Sequence, residues 1–207
     1  MFPLRDAPES EVAPDAGRRE RNKLRTRHEL HAAAVRLFAE RGYEATSVDD
    51  IVEEAGVSVR TFFRYFASKE DVLFARHMDV TGFLDDLARQ PRGVPPVEAI
   101  RRAFLEQPPL TADEVRVHVL FHRAMGSSAT LQGRYLEGLT LFREQLAATL
   151  ARRARRRTPD ESDVLAATIG QTVLDHAFTR WIGRGAPGDP HRWVDAAFGL
   201  LHTVVAP

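Results

Sequence analysis

Apolar residues recur every three or four positions along nearly the whole chain, which is the spacing of an amphipathic α-helix. Alternating apolar and polar stretches of the kind that form strands are almost absent. The pattern therefore predicts an all-α protein of about nine helices. The first helix runs from about Leu24 to Arg41, where Gly42 ends it, and its apolar stripe consists of Leu30, Ala33, Ala34, Leu37 and Phe38.

Two short helices with a tight turn between them follow the first. Ser47 stands where an N-cap is expected, with an acidic residue three positions later, and the second helix ends before Gly56. Ser58 can cap a third helix, from Val59 to Tyr65. Because two short helices cannot form a core alone, we expect them to dock on the first helix as a helix-turn-helix motif over about residues 47–66.

Capping signals and prolines divide the rest of the chain into longer helices. A fourth helix is expected to begin at Ser68 and to reach about Arg89, because a proline-rich stretch follows. A polar residue followed by proline marks the start of each of the last two helices, at Thr158 and Asp189. The helices after the fourth are expected at about 97–107, 112–125, 131–157, 159–183 and 190–205.

Composition narrows the class of protein. The chain has no cysteine, so neither a disulfide framework nor a thiolate metal site can form, and the reducing cytoplasm is the expected location. No apolar run approaches the ~18 to 20 residues that a membrane span needs, so we expect no membrane association. The N-terminal stretch is acidic and rich in proline without an apolar region, and residues 1–20 are expected to form a disordered tail.

The charge of the chain is unevenly distributed. The formal net charge is zero, which argues neither for nor against a nucleic-acid partner. The run from Arg18 to Arg27, however, carries six cations and one anion. Clustered cations beside a folded unit are typical of phosphate contact, because neutralising phosphates releases condensed counterions. The alternative is a solvated arm without a partner.

The third predicted helix has the features of a recognition helix. Phe62 and Phe66 lie one turn apart and are expected to anchor it to the core, so that Arg60 projects elsewhere. In a helix-turn-helix this helix enters the major groove of DNA. Arg60 is the expected base-reading residue, because a guanidinium can pair bidentately with guanine. Thr61 is expected beside it.

Phosphate contacts are expected from the helix starts around this motif. Thr46 and Ser47 offer hydroxyls, and Ser68 and Lys69 offer backbone donors and a charge. The alternative for the serines is ordinary helix capping, and the two roles can coexist.

Four motifs occur here in a fixed order. Segments 37–51, 55–58, 61–66 and 68–73 have the sequences LFAERGYEATSVDDI, AGVS, TFFRYF and SKEDVL. This succession closely resembles the tetracycline-repressor (TetR) family. The resemblance implies an all-helical homodimer whose N-terminal heads occupy successive half-sites of a pseudo-palindromic operator. It implies a DNA-binding domain over residues 21–81 and a ligand-binding and dimerisation domain over residues 82–207.

The resemblance also assigns roles to single positions of the DNA-binding domain. Phe63 stands where the family commonly has tyrosine, so the usual hydroxyl contact is missing. Helical spacing puts Val59 and Phe63 beside the core stripe, whereas the resemblance turns them toward DNA, and we follow the resemblance. It implies groove contacts for Val59, Arg60, Thr61 and Phe63, and phosphate contacts for Thr46, Ser47, Tyr65 and Lys69.

The central helices carry apolar and aromatic residues with a few polar groups among them. The resemblance implies that such helices enclose a cavity for a small apolar or amphipathic ligand. The segment from Thr61 to Phe66 resembles a TetR subgroup linked to acyl-coenzyme A ligands. The alternative is that these residues simply fill a core. The expected pocket residues are Phe104, His118, Phe121, His122, Met125, Leu139 and Phe142.

A histidine pair raises the question of a metal centre. His118 and His122 are one helical turn apart, a spacing that can bind zinc. Val119 occupies the position at which the zincin motif has glutamate, and no third ligand is evident. We therefore expect no metal and no cofactor. A small helical metal-dependent enzyme is the alternative of another class, and nothing else in the sequence favours it.

The last two helices have more apolar surface than one helix stripe requires. A four-helix bundle between two subunits would bury the excess, and the resemblance implies the same pair of helices. Packing within one subunit is the alternative. The expected interface residues are Ile169, Val173, Phe178, Trp193, Phe198 and Leu201.

Together these patterns predict a DNA-binding transcriptional regulator rather than an enzyme. The expected mechanism is operator binding by a homodimer that a small molecule releases. The expected partners are double-stranded DNA, that ligand and a second copy of the chain. Regulation by a protein partner instead of a small molecule is the alternative.

Overall fold

The computed structural model of the chain describes the backbone of residues 14–77 and 80–205. Within these residues it contains ten α-helices and no strand, which confirms the all-α prediction. No helix in this part of the chain is long and apolar enough to cross a membrane. The helices are α1 (Pro14–Arg41), α2 (Val48–Ala55), α3 (Val59–Tyr65), α4 (Lys69–His77), α5 (Thr81–Arg89), α6 (Pro96–Leu105), α7 (Ala112–Met125), α8 (Ala129–Arg153), α9 (Glu161–Gly183) and α10 (Pro190–Val205).

The fourth predicted helix is in fact two. α4 ends at His77 and α5 begins at Thr81, so the expected continuous helix to Arg89 is wrong. Val80, the residue before α5, has φ −103° and ψ 7° and lies outside the helical region. Val80, Thr81 and Gly82 are weak helix formers, so little stability is lost when the helix is interrupted here. Burial of the Val80 side chain in the core stabilises the interrupted form. This division gives ten helices instead of about nine.

The ends of α1 also differ from the prediction. α1 begins at Pro14, ahead of the expected start at Leu24. Residues 14–20, expected to be disordered, are therefore helical, and the rest of that tail lies outside the described residues. Proline is favoured at a first helical position, and the alanine, arginine and glutamate that follow have high helix propensity.

The connection between α8 and α9 is longer than expected. α8 ends at Arg153 instead of Arg157, because Arg155 adopts φ +60° in the left-handed region. The N-cap of α9 is Asp160 and not Thr158, since the Asp160 carboxylate accepts a hydrogen bond from the backbone N–H of Asp163 at 3.0 Å.

The chain divides into two compact units. Among the described residues, the N-terminal unit comprises 14–77 and 116–135, and the C-terminal unit comprises 80–115 and 136–205. Residues 116–135 belong to the N-terminal unit through a ring contact of Phe74 with Phe121 and an ion pair of Arg134 with Asp71. The units thus differ from the domains 21–81 and 82–207 expected from the sequence, and the functional meaning of those domains stays a prediction.

The C-terminal unit is built around α6, α9 and α10. α6 and α9 approach closely at Gly170, where a Cβ would lie 2.5 Å from Cδ1 of Ile100. Arg101 of α6 forms ion pairs with Glu98 of the same helix and with Asp195 of α10. The largest side chains of this core that are completely buried are Phe83, Leu87, Ile100, Phe104 and Trp181.

Candidate nucleic-acid interface

The start of α2 and the turn between α2 and α3 are formed by the residues that the sequence indicated. The Ser47 hydroxyl accepts a hydrogen bond from the Asp50 N–H at 3.1 Å, and the Asp50 carboxylate accepts one from the Ser47 N–H at 2.7 Å. Gly56 has φ +65°, a left-handed conformation that ends α2. The Val57 N–H donates to the Val52 carbonyl across this turn at 3.0 Å. The predicted helix-turn-helix is confirmed.

α3 is anchored on one side by two phenylalanines. Phe62 is fully buried, Phe66 is nearly so, and their ring centroids are 5.6 Å apart. Ser58 caps the helix by accepting from the Thr61 N–H at 3.1 Å. The expected anchoring of α3 by Phe62 and Phe66 is therefore confirmed.

The opposite side of α3 is exposed. Val59 is 38% exposed and Phe63 is 55% exposed, so neither belongs to the core. Arg60 lies on the same exposed side, and Thr61 is half-buried with its hydroxyl 2.9 Å from that of Ser58. The exposure of Phe63 agrees with the resemblance and not with the helical wheel. Contact of these four residues with DNA stays a prediction.

A cation and a phenol are paired at the end of α3. The Arg64 guanidinium donates to the Tyr65 hydroxyl at 3.0 Å and lies 4.8 Å from the centroid of the Tyr65 ring. Arg64 is exposed and Tyr65 is half-buried. This pairing restricts the phenol that the resemblance assigns to phosphate contact and brings a positive charge to the same place.

Thr46 does not present its hydroxyl to solvent. Its side chain is only 1% exposed, and the hydroxyl donates to the Gly42 carbonyl at 2.8 Å. Its backbone N–H donates to the Tyr43 carbonyl at 3.2 Å. The hydroxyl already has an acceptor within the chain, and the expected phosphate contact of Thr46 stays a prediction. Thr46 stabilises the loop between α1 and α2.

Lys69 also contacts this loop. Its ammonium donates to the backbone carbonyls of Tyr43 at 2.8 Å and Thr46 at 2.9 Å. The neighbouring Glu70 carboxylate accepts a hydrogen bond from the Tyr43 hydroxyl. Sequence reasoning missed Tyr43 and Glu70, because a contact between residues 27 positions apart leaves no local signal in the sequence.

The expected ligand-pocket residues are divided between the two units. Phe104, Leu139 and Phe142 belong to the C-terminal unit, with Phe104 and Phe142 buried and Leu139 half-buried. The other four belong to the N-terminal unit, where His122 is half-buried and the rest are buried; they are His118, Phe121, His122 and Met125.

His118 is the most perturbed titratable group of this set. Burial, together with the smaller effect of nearby positive charges such as that of His122, lowers the pKa of His118 to about 3. Among the described residues, no group of three histidine or carboxylate side chains could hold a metal ion.

An aromatic cluster in the C-terminal unit contains two buried polar atoms without a hydrogen-bond partner among the described residues. They are Nε1 of Trp181 and Nε2 of His191. The Phe104 ring packs against Phe178 at 5.7 Å and against the His191 ring at 5.3 Å, and Phe178 packs against Trp181 at 5.7 Å. Nδ1 of His191 lies 2.7 Å from an Asp189 carboxylate oxygen. Trp181 and His191 were not among the expected pocket residues.

Two of the expected dimer residues are core residues of a single chain. Phe178 and Phe198 are buried within the C-terminal unit and have almost no surface left to bury against a partner. Ile169, Val173, Trp193 and Leu201 are half-buried. The apolar side chains that α9 and α10 do expose are others, namely Val164, Leu165, Leu200 and Val204.

A short helix anchored by aromatic residues, with its opposite side exposed and a capped turn before it, has the geometry of a helix-turn-helix motif. The family model described as bacterial regulatory proteins of the tetR family matches residues 30–75. The model described as the MftR C-terminal domain matches residues 94–206, more than half of the chain. The chain belongs to the TetR family of transcriptional regulators.

Two curated relatives agree with this assignment, and a solved structure shares the fold. The chain is 33% identical over 156 residues to the HTH-type transcriptional regulator TcmR of Streptomyces glaucescens, covering 72% of this chain and 69% of that one. It is 30% identical over 176 residues to MftR of Mycobacterium tuberculosis, described as a mycofactocin biosynthesis transcriptional regulator, covering 82% and 86%. The fatty acid degradation regulator FadR from Bacillus halodurans shares the fold, with a TM-score of 0.55, 21% identity and coverage of 95% and 99%.

Proposed function

We propose that this TetR-family regulator is a repressor that acts in the cytoplasm and binds a pseudo-palindromic operator as a homodimer. The observation that carries the proposal is the two-sided character of α3. Its inner side is fixed by buried Phe62, while Arg60 and Phe63 are exposed on the outer side. A helix fixed in this way can enter a major groove about 12 Å wide without unfolding.

The exposed side of α3 is suited to reading base edges. The Arg60 guanidinium can pair with O6 and N7 of guanine, and the rings and methyl groups of Phe63, Val59 and Thr61 can contact thymine methyl groups. Ser47 at the start of α2 and the Arg64–Tyr65 pair at the end of α3 supply the flanking phosphate contacts. These seven residues form the proposed interface.

Dimerisation is supported by the apolar side chains that α9 and α10 expose. Leu165 is 59% exposed on α9, and Leu200 and Val204 of α10 are 58% and 78% exposed. Leu200 and Val204 are one helical turn apart and therefore share a face of α10. Pairing this face with its copy in a four-helix bundle removes apolar surface from water and places two heads on one operator.

A ligand-binding role for the C-terminal unit is supported by the aromatic cluster around Phe104. Leaving a buried donor such as Trp181 Nε1 without an acceptor costs about 1 to 3 kcal/mol. A small apolar or amphipathic ligand with a carbonyl or carboxylate oxygen would supply that acceptor, and an acyl-coenzyme A thioester is one such ligand. Ligand binding releases DNA only to the extent that it favours one conformation over another, typically by about 1 to 3 kcal/mol.

Selection of DNA from a random pool by the purified wild-type protein tests the proposed DNA binding. We expect enrichment of a sequence with two related half-sites whose centres lie about one helical turn or a multiple of it apart. Enrichment of single, unpaired half-sites would contradict binding as a dimer. Recovery of no common sequence would contradict the proposed function altogether.

Ligand release can be tested with decanoyl-coenzyme A, decanoate and free coenzyme A as probes on the selected DNA. Trp181 and Trp193 are the two tryptophans of the chain, so a Trp193→Phe variant reports the surroundings of Trp181 by fluorescence. We expect an acyl probe to dissociate DNA and to change this fluorescence. Trp181→Phe should raise the required probe concentration about fivefold, the loss of one hydrogen bond of about 1 kcal/mol. DNA release with unchanged Trp181 fluorescence would contradict this placement of the ligand.

A further inference from the structure

The first turn of α4 holds the loop between α1 and α2 in place. This loop consists of residues 42–47, and several hydrogen bonds fix its conformation. Gly42 has φ +87°, so the chain reverses sharply after α1. The Thr46 hydroxyl and N–H both donate to carbonyls of this loop. The loop then leads directly into Ser47, the N-cap of α2.

Lys69 is the central contact of this arrangement. An ammonium group has three N–H donors and no acceptor. Two of the donors are used by the carbonyls of Tyr43 and Thr46, at 2.8 and 2.9 Å. The nitrogen also lies 3.9 Å from the centroid of the Tyr43 ring, so the ring face covers a third side of the ammonium. Two carbonyls and one ring face of this chain thus lie against the half-buried ammonium.

Tyr43 is held by contacts with α1 and with two residues of α4. Its ring is almost fully buried and meets Phe38 of α1 edge to face at 5.4 Å. Its hydroxyl donates to the Glu70 carboxylate while its carbonyl accepts from Lys69. The loop cannot shift without breaking contacts to two successive residues of α4.

We propose that Lys69 is a positioning residue for DNA binding, which sets the α1–α2 loop and hence the start of α2, and does not contact phosphate through its ammonium. The proposal rests on the DNA binding proposed above. It replaces the phosphate contact that the sequence suggested for this side chain. A phosphate that used the remaining N–H of the ammonium would have to take it from the face of the buried Tyr43 ring.

The salt dependence of DNA binding separates the two roles. Each phosphate neutralised by a cation contributes about 0.9 to the slope of log affinity against log salt concentration. The affinity of wild type and Lys69→Met for the selected DNA should be measured between about 50 and 200 mM salt. We expect Lys69→Met to bind more weakly at every concentration with an unchanged slope. A slope lower by about 0.9 or more would overturn the proposal.

Hydrogen exchange supplies a readout that a phosphate contact would not change. In the free protein, Lys69→Met should speed amide exchange over residues 42–50 by about tenfold or more, because the loop loses its fastening. Lys23→Met removes the same charge from an exposed position of α1 and should leave this exchange as in the wild type. Equal exchange in the wild type and Lys69→Met would overturn the proposal.

Lys69→Arg keeps the test decisive if Lys69→Met does not fold. A guanidinium keeps the positive charge but is planar and longer than the compact ammonium, so it fits the two carbonyls poorly. We expect Lys69→Arg to weaken DNA binding and to speed exchange over residues 42–50. Wild-type affinity and exchange in this variant would overturn the proposal. A wild-type protein that selects no DNA would instead refute the underlying function and leave the exchange result intact.

Discussion

Phe62 and Phe63 are neighbours on α3 with opposite surroundings. The ring of Phe62 is fully buried, whereas Phe63 is 55% exposed, and the two ring centroids are 5.3 Å apart in an edge-to-face arrangement. Phe62 therefore holds α3 in place, and Phe63 lies on the surface that the helix offers to a partner. Two adjacent residues of the same type thus differ in burial, so their contributions to stability and to the proposed DNA binding can be tested separately.

Alanine substitutions at these two positions should have different consequences. Phe62→Ala should lower the free energy of unfolding by about 3 to 5 kcal/mol, because it leaves a cavity in the core. Phe63→Ala should change it by less than about 1 kcal/mol and should weaken binding of the selected DNA about tenfold or more. Urea unfolding and fluorescence anisotropy measure the two quantities. Unfolding of Phe63→Ala would show that the helical wheel was right and that Phe63 supports the core.

Arg60 should determine sequence preference as well as affinity. Arg60→Ala should lose about 1 to 3 kcal/mol of discrimination at one base pair of each half-site, because a bidentate contact to guanine is removed. Arg64→Ala serves as the control at the other end of α3, and it should weaken binding to all sequences alike. Competition with DNA duplexes that are altered one base pair at a time measures the base preference of each protein. An unchanged preference in Arg60→Ala would show that another residue reads that base.

The dimer surface can be tested with a charge on α10. Leu200→Glu introduces a carboxylate where the side chain is 58% exposed, so the fold of a single chain should remain intact. The variant should sediment as a monomer and lose about 1,000-fold or more in operator affinity, because single half-sites bind much more weakly than pairs. Gln132→Glu, at an exposed position of α8, is the control for the added charge. A dimeric Leu200→Glu would contradict the placement of the interface.

His118 should make stability depend on pH. Its pKa of about 3 in the folded chain lies below the ordinary value of 6.5, so between these values the unfolded state binds more protons. Its contribution to stability is therefore complete above pH 6.5 and decreases as the pH falls toward 3, by up to about 1.4 kcal/mol per pH unit. Urea unfolding from about pH 7 to 5 should show this decrease, and His118→Phe should reduce it. Equal pH dependence in both proteins would contradict this account.

Local signals in the sequence were sufficient for the helix-turn-helix. Ser47, Gly56 and Ser58 are capping and turn residues whose roles depend on neighbours within four positions, so the limits of α2 and α3 could be predicted. The break between α4 and α5 could not, because burial of Val80 in the C-terminal core decides it. Helix propensity predicts one long helix in this segment, whereas tertiary packing produces two.

The candidate site was predicted only in part, for a similar reason. Exposure of Phe63 followed from the family resemblance and contradicted helical spacing. The burial of Thr46 and the contacts of Lys69 depend on Tyr43, which is distant in sequence from α4. The apolar pattern of α9 and α10 marked both helices correctly as rich in apolar residues. It could not show that Phe178 faces the core of its own chain while Leu200 faces solvent.

The most direct test of the central claim, sequence-specific DNA binding through α3, is an anisotropy titration at physiological salt. Wild-type protein is added to the selected duplex and to a scrambled duplex of the same length and composition. We expect the selected duplex to bind about 1,000-fold or more tightly than the scrambled one. An Arg60→Ala, Phe63→Ala double variant should lose most of this preference while staying folded. Equal affinity of the wild type for both duplexes would rule out sequence-specific DNA binding.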